Sequence, residues 1–571
     1  MTPSTLSEIR KHLSFERLFF ILVLLTFAIR LISLDLKLFH HDEAIHAWFS
    51  YDLLTKGGYS YDPMYHGPLL YYLTSGMFWL FGDTDLVARF LPAVFGSALV
   101  LLVYPIYRMG YLDRKQTLVA ALFIAVSPDL VYFSRFLRHD IFQLFFTLLI
   151  LVALLAYLNY GKLRYGILAG IAVAGGMTLK EDMPIFLLIF ITFGLYLILR
   201  KKITLPREWK RDAAVGILVA LGLIILLYSS FGYHWEVLVP DATHTLNQTG
   251  WYKAVDHWTA MHNMCRICGP WFFYIILFLL YEVPIIVLAF LGIGQFFATD
   301  CKVRAWTRNI SSSISHGLPR DRIDELTKVS LYQLRHRGED HKKRDFFIFC
   351  LFWMAISMAA YAYIGEKVPW LIIHQLLPMI FVGMYKMTSR KAAIAVAASA
   401  FLIVMTWHVA FVPADISEPI VQVQNSEDMR TVMKLMDASN RVMVASKDYW
   451  PLPWYYRGSR WDKIDFYGGI VDQTTISSKD ADMIFTHDTE SYPSIEGYEK
   501  KTYRLAYWFS YYDNENRIPE WYLLRDGKLG SINIDVFTKP GLYERAGLTV
   551  PAFGEFSQEQ SYQVPFTAAV S

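Results

Sequence analysis

Eleven long apolar runs constrain this chain more than any other feature. They cover residues 18–34, 87–107, 116–131, 141–159, 165–179, 183–199, 213–231, 271–297, 346–364, 369–385 and 392–411. About 20 mostly apolar residues suffice for a helix to cross the hydrocarbon core of a bilayer, so the pattern predicts a polytopic α-helical membrane protein. At 54% hydrophobic and 18% charged residues, the composition excludes a single soluble domain of this length. A further apolar segment, 67–82, is shorter and begins at Gly67-Pro68. It carries Tyr71, Tyr72 and Trp79, so it is expected to lie at the interface. Basic residues precede the first run but no small-residue cleavage site follows it, which predicts a retained helix.

The charges between the runs orient them. With the amino terminus inside, the cytoplasmic pieces (1–17, 108–115, 160–164, 200–212, 298–345 and 386–391) hold 28 Lys and Arg. The external pieces (35–86, 132–140, 180–182, 232–270 and 365–368) hold 8. That bias is the one the positive-inside rule requires, and counting 67–82 as a span would destroy it. The expected location is a cell membrane, with the amino terminus cytoplasmic and the basic loop 298–345 at the inner surface. The transmembrane domain would end at 411. Residues 412–571 turn polar and aromatic, with short β-like runs at Arg441–Ala445 and Met483–Thr486. They predict a soluble extracytoplasmic α/β domain. Four cysteines rule out a disulfide framework.

Ionisable residues at a membrane boundary are costly, and here they collect on the predicted outer side. The first external loop, 35–86, carries His40, His41, Asp42, Glu43 and His46 in HHDEAIH, then Asp62 and His66 in YDPMYHGPLLYY. SRFLRHD supplies Arg135, Arg138, His139 and Asp140; LKED supplies Lys180, Glu181 and Asp182; GEKVPW supplies Glu366, Lys367 and Trp370. Taken singly, each loop is as readily a solvated connection, Lys180 or Lys367 a snorkelling side chain and Asp140 a helix cap. Together they suit transfer from a phosphate-linked donor. A phosphate leaving group needs fixed positive charge, for which Arg135, Arg138, Lys180 and Lys367 are candidates. An acceptor hydroxyl needs a carboxylate to take its proton, for which Asp42 and Glu43 are candidates. His46 lies one helical turn from Asp42 and would orient or tune it. His66, His139, Asp140, Glu181, Asp182 and Glu366 complete the set as supporting groups.

HHDEAIHAWFSYDLLTKGGYSYDPMYHGPLLYYL resembles the first external loop of the GT-C glycosyltransferases, especially the lipid A aminoarabinose transferases and the protein O-mannosyltransferases. VARFLPAVFG at 87–96, SRFLRHD at 134–140, MTLKEDMP at 177–184 and KVPWLIIHQLLP at 367–378 continue the likeness over roughly residues 15–410. DEAIH and HGPLLYY also resemble the archaeal and bacterial family named "flippase activity-associated protein". The resemblance implies a membrane enzyme moving a sugar from a polyprenyl (dolichyl) phosphate to a protein, lipid or glycan acceptor outside the membrane. It implies Asp42 as catalytic base, Glu43 as its partner, Asp140 as a second acidic position and Lys180 as the lysine of a T-K-G-like turn. Two positions depart from it: His66 replaces the lysine of a Lys-Pro-Pro-like segment, and His46 stands where a tyrosine follows the Asp-Glu pair. The alternative is a protein that binds lipid-linked sugars, or assists their flipping, without making bonds. No nucleic-acid partner is expected.

No cofactor is demanded by these residues, although a divalent ion on Asp42 and its neighbouring histidines is an open alternative. His262-x-x-Cys265-x-x-Cys268 is a weak metal candidate, with a disulfide and two free thiols as the other readings.

Overall fold

The computed structural model describes residues 3–240, 244–264, 269–298 and 320–549. Two compact units emerge. One comprises residues 1–32 and 53–410, the other 33–52 and 411–571. The sequence boundary at 411 therefore needs one correction, because residues 33–52 pack with the carboxyl-terminal unit.

The apolar runs lie in helices of widely different length. Among the described residues five helices are long and apolar enough to cross a membrane: Asp85–Arg108, His139–Tyr160, Trp209–Tyr228, His341–Tyr363 and Ser389–Phe411. Two bent pairs raise the number to seven at most: Arg114–Val126 with Pro128–Ser134, at 56°, and Phe273–Tyr281 with Val283–Ala298, at 109°. The segment Leu69–Phe81 is a separate helix of 13 residues, about 20 Å long at the α-helical rise and too short to cross.

Side chains satisfy the backbone groups freed at the first break. Pro128 lacks an N–H and cannot continue the preceding helix. The freed carbonyls of Ile124 and Ala125 accept from the buried Arg30 guanidinium at 2.7 and 3.1 Å, and that of Val126 from Thr406 Oγ1 at 2.8 Å. On the other side of the break, Glu282 Oε1 accepts from Ser127 Oγ at 2.5 Å and from the Asp129 N–H at 3.1 Å. A guanidinium thus meets a helix carboxyl end, the sign the helix dipole favours, and a carboxyl group meets a helix amino end. Elsewhere small residues bring backbones together. A methyl on Gly170 would stand 2.2 Å from the Gly216 carbonyl oxygen, so helices Leu163–Met177 and Trp209–Tyr228 pack as closely as backbones allow.

The second unit is a six-stranded mixed sheet. Its strands are β1 (Gln424–Asn425), β2 (Val442–Ala445), β3 (Ile464–Phe466), β4 (Met483–His487), β5 (Glu499–Phe509) and β6 (Leu529–Thr538). The order is β1-β5-β6-β4-β2-β3, with β2 parallel to β3 and β4 and the remaining pairs antiparallel. β2 is buried on both faces, which is why VMVA reads as an unbroken apolar run. Helix Asp428–Ala438 covers one face with Met429, Val432, Leu435 and Met436, against Val442, Val444, Phe485 and Val536. Leu38 belongs to this same core.

Candidate active site

The candidates fall into two groups, one in each unit. In the sheet unit, residues 36–40 are fastened to the carboxyl-terminal fold by their backbone. The Leu38 N–H donates to Glu427 Oε1 at 3.2 Å and its carbonyl accepts from Gln424 Nε2 at 3.0 Å. The Phe39 N–H donates to the Tyr455 hydroxyl at 3.1 Å, and its carbonyl accepts from Asn425 Nδ2 at 2.7 Å. Phe39 also stacks on Trp454. This seating positions helix His41–Lys56, which begins with the predicted acids in its first turn.

The start of that helix is capped reciprocally. His40 Nδ1 accepts from the Asp42 N–H at 3.0 Å, and Glu43 Oε2 accepts from the His40 N–H at 3.0 Å. Glu43 at the third helical position thus does what the acid of a capping box does, with an imidazole in place of the usual hydroxyl. His40 Nε2 meets the Gln422 carbonyl and must carry the ring proton, since Nδ1 is an acceptor. Burial holds the His40 pKa below the ordinary histidine value, against the opposing pull of Asp42, the Gln422 carbonyl and Glu43. A histidine with a lowered folded-state pKa contributes stability above its unfolded pKa, and that contribution is lost as the pH falls. The sheet unit is accordingly expected to lose stability below about pH 6.5, and His40→Asn, which keeps a capping oxygen, to flatten that dependence. Thermal unfolding of the two proteins across about pH 5–8 checks this; equal slopes would remove His40 from the account. Asp42 is half-buried, while Glu43 and His46 are buried. Asp42 and His46 lie one turn apart on the helix, as their spacing predicts.

In the helical unit, two loops come together through their backbones. The Gly67 N–H donates to the Leu179 carbonyl and the Leu69 N–H to the Thr178 carbonyl, each at 3.0 Å. A Cβ at Gly67 would lie 2.3 Å from the Thr178 oxygen, so only glycine permits this approach. Gly67→Ala is expected to destabilise by about 1–3 kcal/mol through backbone displacement. An unchanged unfolding temperature in detergent would show that the loops are not pinned there.

The pairing carries His66 to Glu181. His66 Nδ1 donates to Glu181 Oε2 at 2.7 Å, and the Tyr61 hydroxyl donates to Oε1 at 2.7 Å. The imidazole lies flat on Trp258, 5.3 Å between ring centres, and edge-on to His139 at 5.1 Å. Burial works against ionising Glu181, but the His66 ring and the Tyr61 hydroxyl together hold its pKa below the usual carboxylate value. Where the resemblance has a lysine, this chain has a carboxylate-oriented imidazole.

Asp140 is the second centre. It sits at the second position of helix His139–Tyr160, whose cap is Arg138, so it is not the helix cap. Its Oδ1 accepts from Lys180 Nζ at 2.5 Å and lies 3.5 Å from His374 Nε2; its Oδ2 accepts from Arg138 Nε at 3.2 Å. The Arg138 guanidinium lies 3.6 Å over the Trp370 ring. Beside this cluster Asp182 accepts from the Tyr361 hydroxyl at 2.9 Å and Gln143 Nε2 at 3.3 Å.

The other two expected phosphate ligands contact helix ends. Arg135 Nη1 donates to the carbonyls of Ile29, Arg30 and Ile32, the last at 2.6 Å, closing the first helix, Pro3–Leu31. Lys367 Nζ donates to the carbonyls of Tyr361, Ala362 and Ile364 at the end of the helix that finishes at Tyr363. Burial lowers the Lys367 pKa. These are the contacts basic side chains make at helix carboxyl ends. Glu366, next in sequence, is half-buried. His262 Nδ1 accepts from the Gly365 N–H at 3.3 Å, while Cys265 and Cys268 lie outside the described residues. Among the described residues no group of three or more His, Cys, Asp or Glu side chains is arranged to hold a metal ion.

Residues 65–228 match the family model of dolichyl-phosphate-mannose-protein mannosyltransferase. The structure is similar to that of ArnT from Cupriavidus metallidurans bound to undecaprenyl phosphate, with TM-score 0.53 and 10% identity over 91% of this chain and 98% of that one. The fold is GT-C. Weaker likenesses extend to the Saccharomyces cerevisiae protein O-mannosyltransferase Pmt1–Pmt2 complex and to the Archaeoglobus fulgidus oligosaccharyltransferase. The first has TM-score 0.33 and 23% identity over 40% of this chain and 35% of that one. The second has TM-score 0.46 and 13% identity over 82% and 68%. No curated protein sequence matches the chain.

With its GT-C fold the chain is a multi-pass membrane protein, and the family-model match covers the loops that bear His66, Asp140 and Lys180. Sequence reasoning missed several members of these clusters. Tyr61, Trp258, Tyr361 and His374 were not singled out; Tyr61 lay inside the quoted YDPMYHGPLLYY and His374 inside KVPWLIIHQLLP, but neither carries a motif of its own.

Proposed function

We propose that this chain is an integral membrane glycosyltransferase that moves a sugar from a polyprenyl (dolichyl) phosphate to an acceptor on the outer face of a cell membrane. The observation that supports this most directly is the mannosyltransferase family model's match to residues 65–228 within a chain of GT-C fold. The Lys and Arg bias favours a cytoplasmic amino terminus and an external sheet unit. Asp42 is the catalytic base, held in the first turn of a capped helix. Arg138 and Lys180, gathered by Asp140, meet the donor phosphate. His66, oriented by Glu181, takes the place of the lysine in the related pattern. The acceptor is a protein, lipid or glycan.

Purified protein in lipid vesicles, incubated with a panel of radiolabelled polyprenyl-phosphate sugars and membrane extract, tests the reading. Release of sugar to an acceptor or to water is expected. Intact donor across the panel would overturn it. One observation favours a second reading, binding or flipping without bond making. Two bent helix pairs meet at Glu282 and at Ser127 and Asp129, with both carboxylates inside, an arrangement also used by transporters. Movement of unaltered donor between leaflets in the same vesicles would favour that reading.

A further inference from the structure

The connection between β5 and β6, residues 510–528, is a built structure with an exposed apolar tip. Its base is tied by Asn514, which is fully buried. Asn514 Nδ2 donates to the carbonyls of Ser510 and Lys528 at 2.6 and 2.8 Å, and its Oδ1 accepts from the Lys528 N–H at 2.8 Å. Trp521 is buried and packs on Phe509 at 4.5 Å, so the short helix Ile518–Leu524 is anchored through one face. The other residues of the tip point away from that core. Tyr511 is 58% exposed, Tyr512 83%, Leu523 78% and Leu524 69%. Four large side chains held outward on a fastened segment need a reason, because a loop that met only water would gain nothing from them.

The chain itself supplies the occupant. Trp521 Nε1 donates to the Ser417 carbonyl at 2.8 Å, Ser417 Oγ donates to the Arg525 carbonyl at 2.9 Å, and Arg525 Nη1 pairs with Glu418 at 3.2 Å. Ser417 follows the last apolar helix, Ser389–Phe411, by six residues. Six extended residues reach at most about 21 Å. The tip is therefore clamped to a point that cannot leave the neighbourhood of the membrane surface. Tyrosine and leucine are what the interface accepts, the ring with its hydroxyl at headgroup level and the aliphatic chain below it. Arg517 and Arg525 at the borders of the tip are paired with Glu520 and Glu418, each at 3.2 Å, so the apolar and tyrosine side chains are what the tip offers a bilayer.

We infer that the β5–β6 connection is an interfacial anchor, with Tyr511, Tyr512, Leu523 and Leu524 inserted at the headgroup–acyl boundary of the bilayer that holds the helical unit. This attachment is independent of the transferase reading. Benzoylphenylalanine placed at 523 in the full chain, in vesicles of phosphatidylcholine and phosphatidylglycerol, tests it by photo-crosslinking and mass spectrometry. Lipid adducts are expected at 523 and none at Asp480, whose side chain is 86% exposed on the same unit. Adducts to protein alone, no adduct, or equal lipid adducts at both positions would overturn the inference. The double variant L523S/L524S, which alters only exposed side chains, is expected to raise hydrogen exchange across 510–528 in vesicles. Unchanged exchange would count equally against the anchor.

Discussion

Asp42→Asn is expected to abolish sugar transfer while leaving the protein folded. Removing a general base typically costs about 10²–10⁴ in rate, and asparagine keeps the size and polarity of the side chain. The fold depends little on the charge. Asp42 holds its place through its backbone N–H, which donates to His40 Nδ1, and that contact survives the substitution. Loss of a negative charge from the first helical turn costs only about 0.3–1 kcal/mol. The informative comparison is Glu43→Ala, since glutamine would keep an oxygen able to accept from the His40 N–H. Glu43 is buried and accepts from the His40 N–H, so its substitution disturbs the cap and lowers stability as well as activity. Transfer rate and unfolding temperature measured on both variants separate the roles. Wild-type transfer by Asp42→Asn would remove Asp42 as the base.

Asp140→Asn is expected to destabilise the helical unit strongly, by about 3–5 kcal/mol, because it removes the carboxylate that bridges Arg138 and Lys180 and takes from the buried Lys180 the counter-charge 2.5 Å away. Lys180→Met alone is expected to be costly as well, since Asp140 would keep only Arg138 at 3.2 Å and His374 at 3.5 Å. The double variant D140N/K180M should recover part of the loss, the mark of a coupled pair. Unfolding of the detergent-solubilised protein measures all three. Additive losses would show that the two side chains do not act through each other, and Asp140 would then be free to meet substrate directly.

The external charges show where sequence reading works and where it stops. LKED and SRFLRHD were recognisable as places where acids and bases gather, and Asp140 with Lys180 does form a pair across 40 residues. Which cation meets which partner was not legible. Arg135 and Arg138 stand three residues apart in one loop, yet one closes the first helix and the other lies over Trp370. Helix-end carbonyls are invisible in a sequence, so a lysine or arginine that caps them looks the same as one that binds an anion. Trp258 and Tyr61 escaped notice because aromatic residues are common in this chain, and only the pairing of Gly67 with Leu179 brings His66 to Trp258 and to Glu181, the carboxylate that Tyr61 holds.

By itself the sequence determined the class of protein: apolar runs of membrane length need no tertiary information, because burial in lipid depends on local composition. It also determined the α/β character of residues 412–549, since a strand buried on both faces, such as Val442–Ala445, must be apolar throughout. Tertiary structure alone decided how those runs are used, bending two of them where Pro128 and Glu282 interrupt the helices, with buried side chains satisfying the carbonyls freed before Pro128. It alone decided that residues 33–52, read as a loop of the transmembrane domain, belong to the sheet unit. The reason is that Leu38 and Phe39 are held by Gln424, Asn425 and Glu427 almost 390 residues later, and no local pattern encodes a partner at that distance.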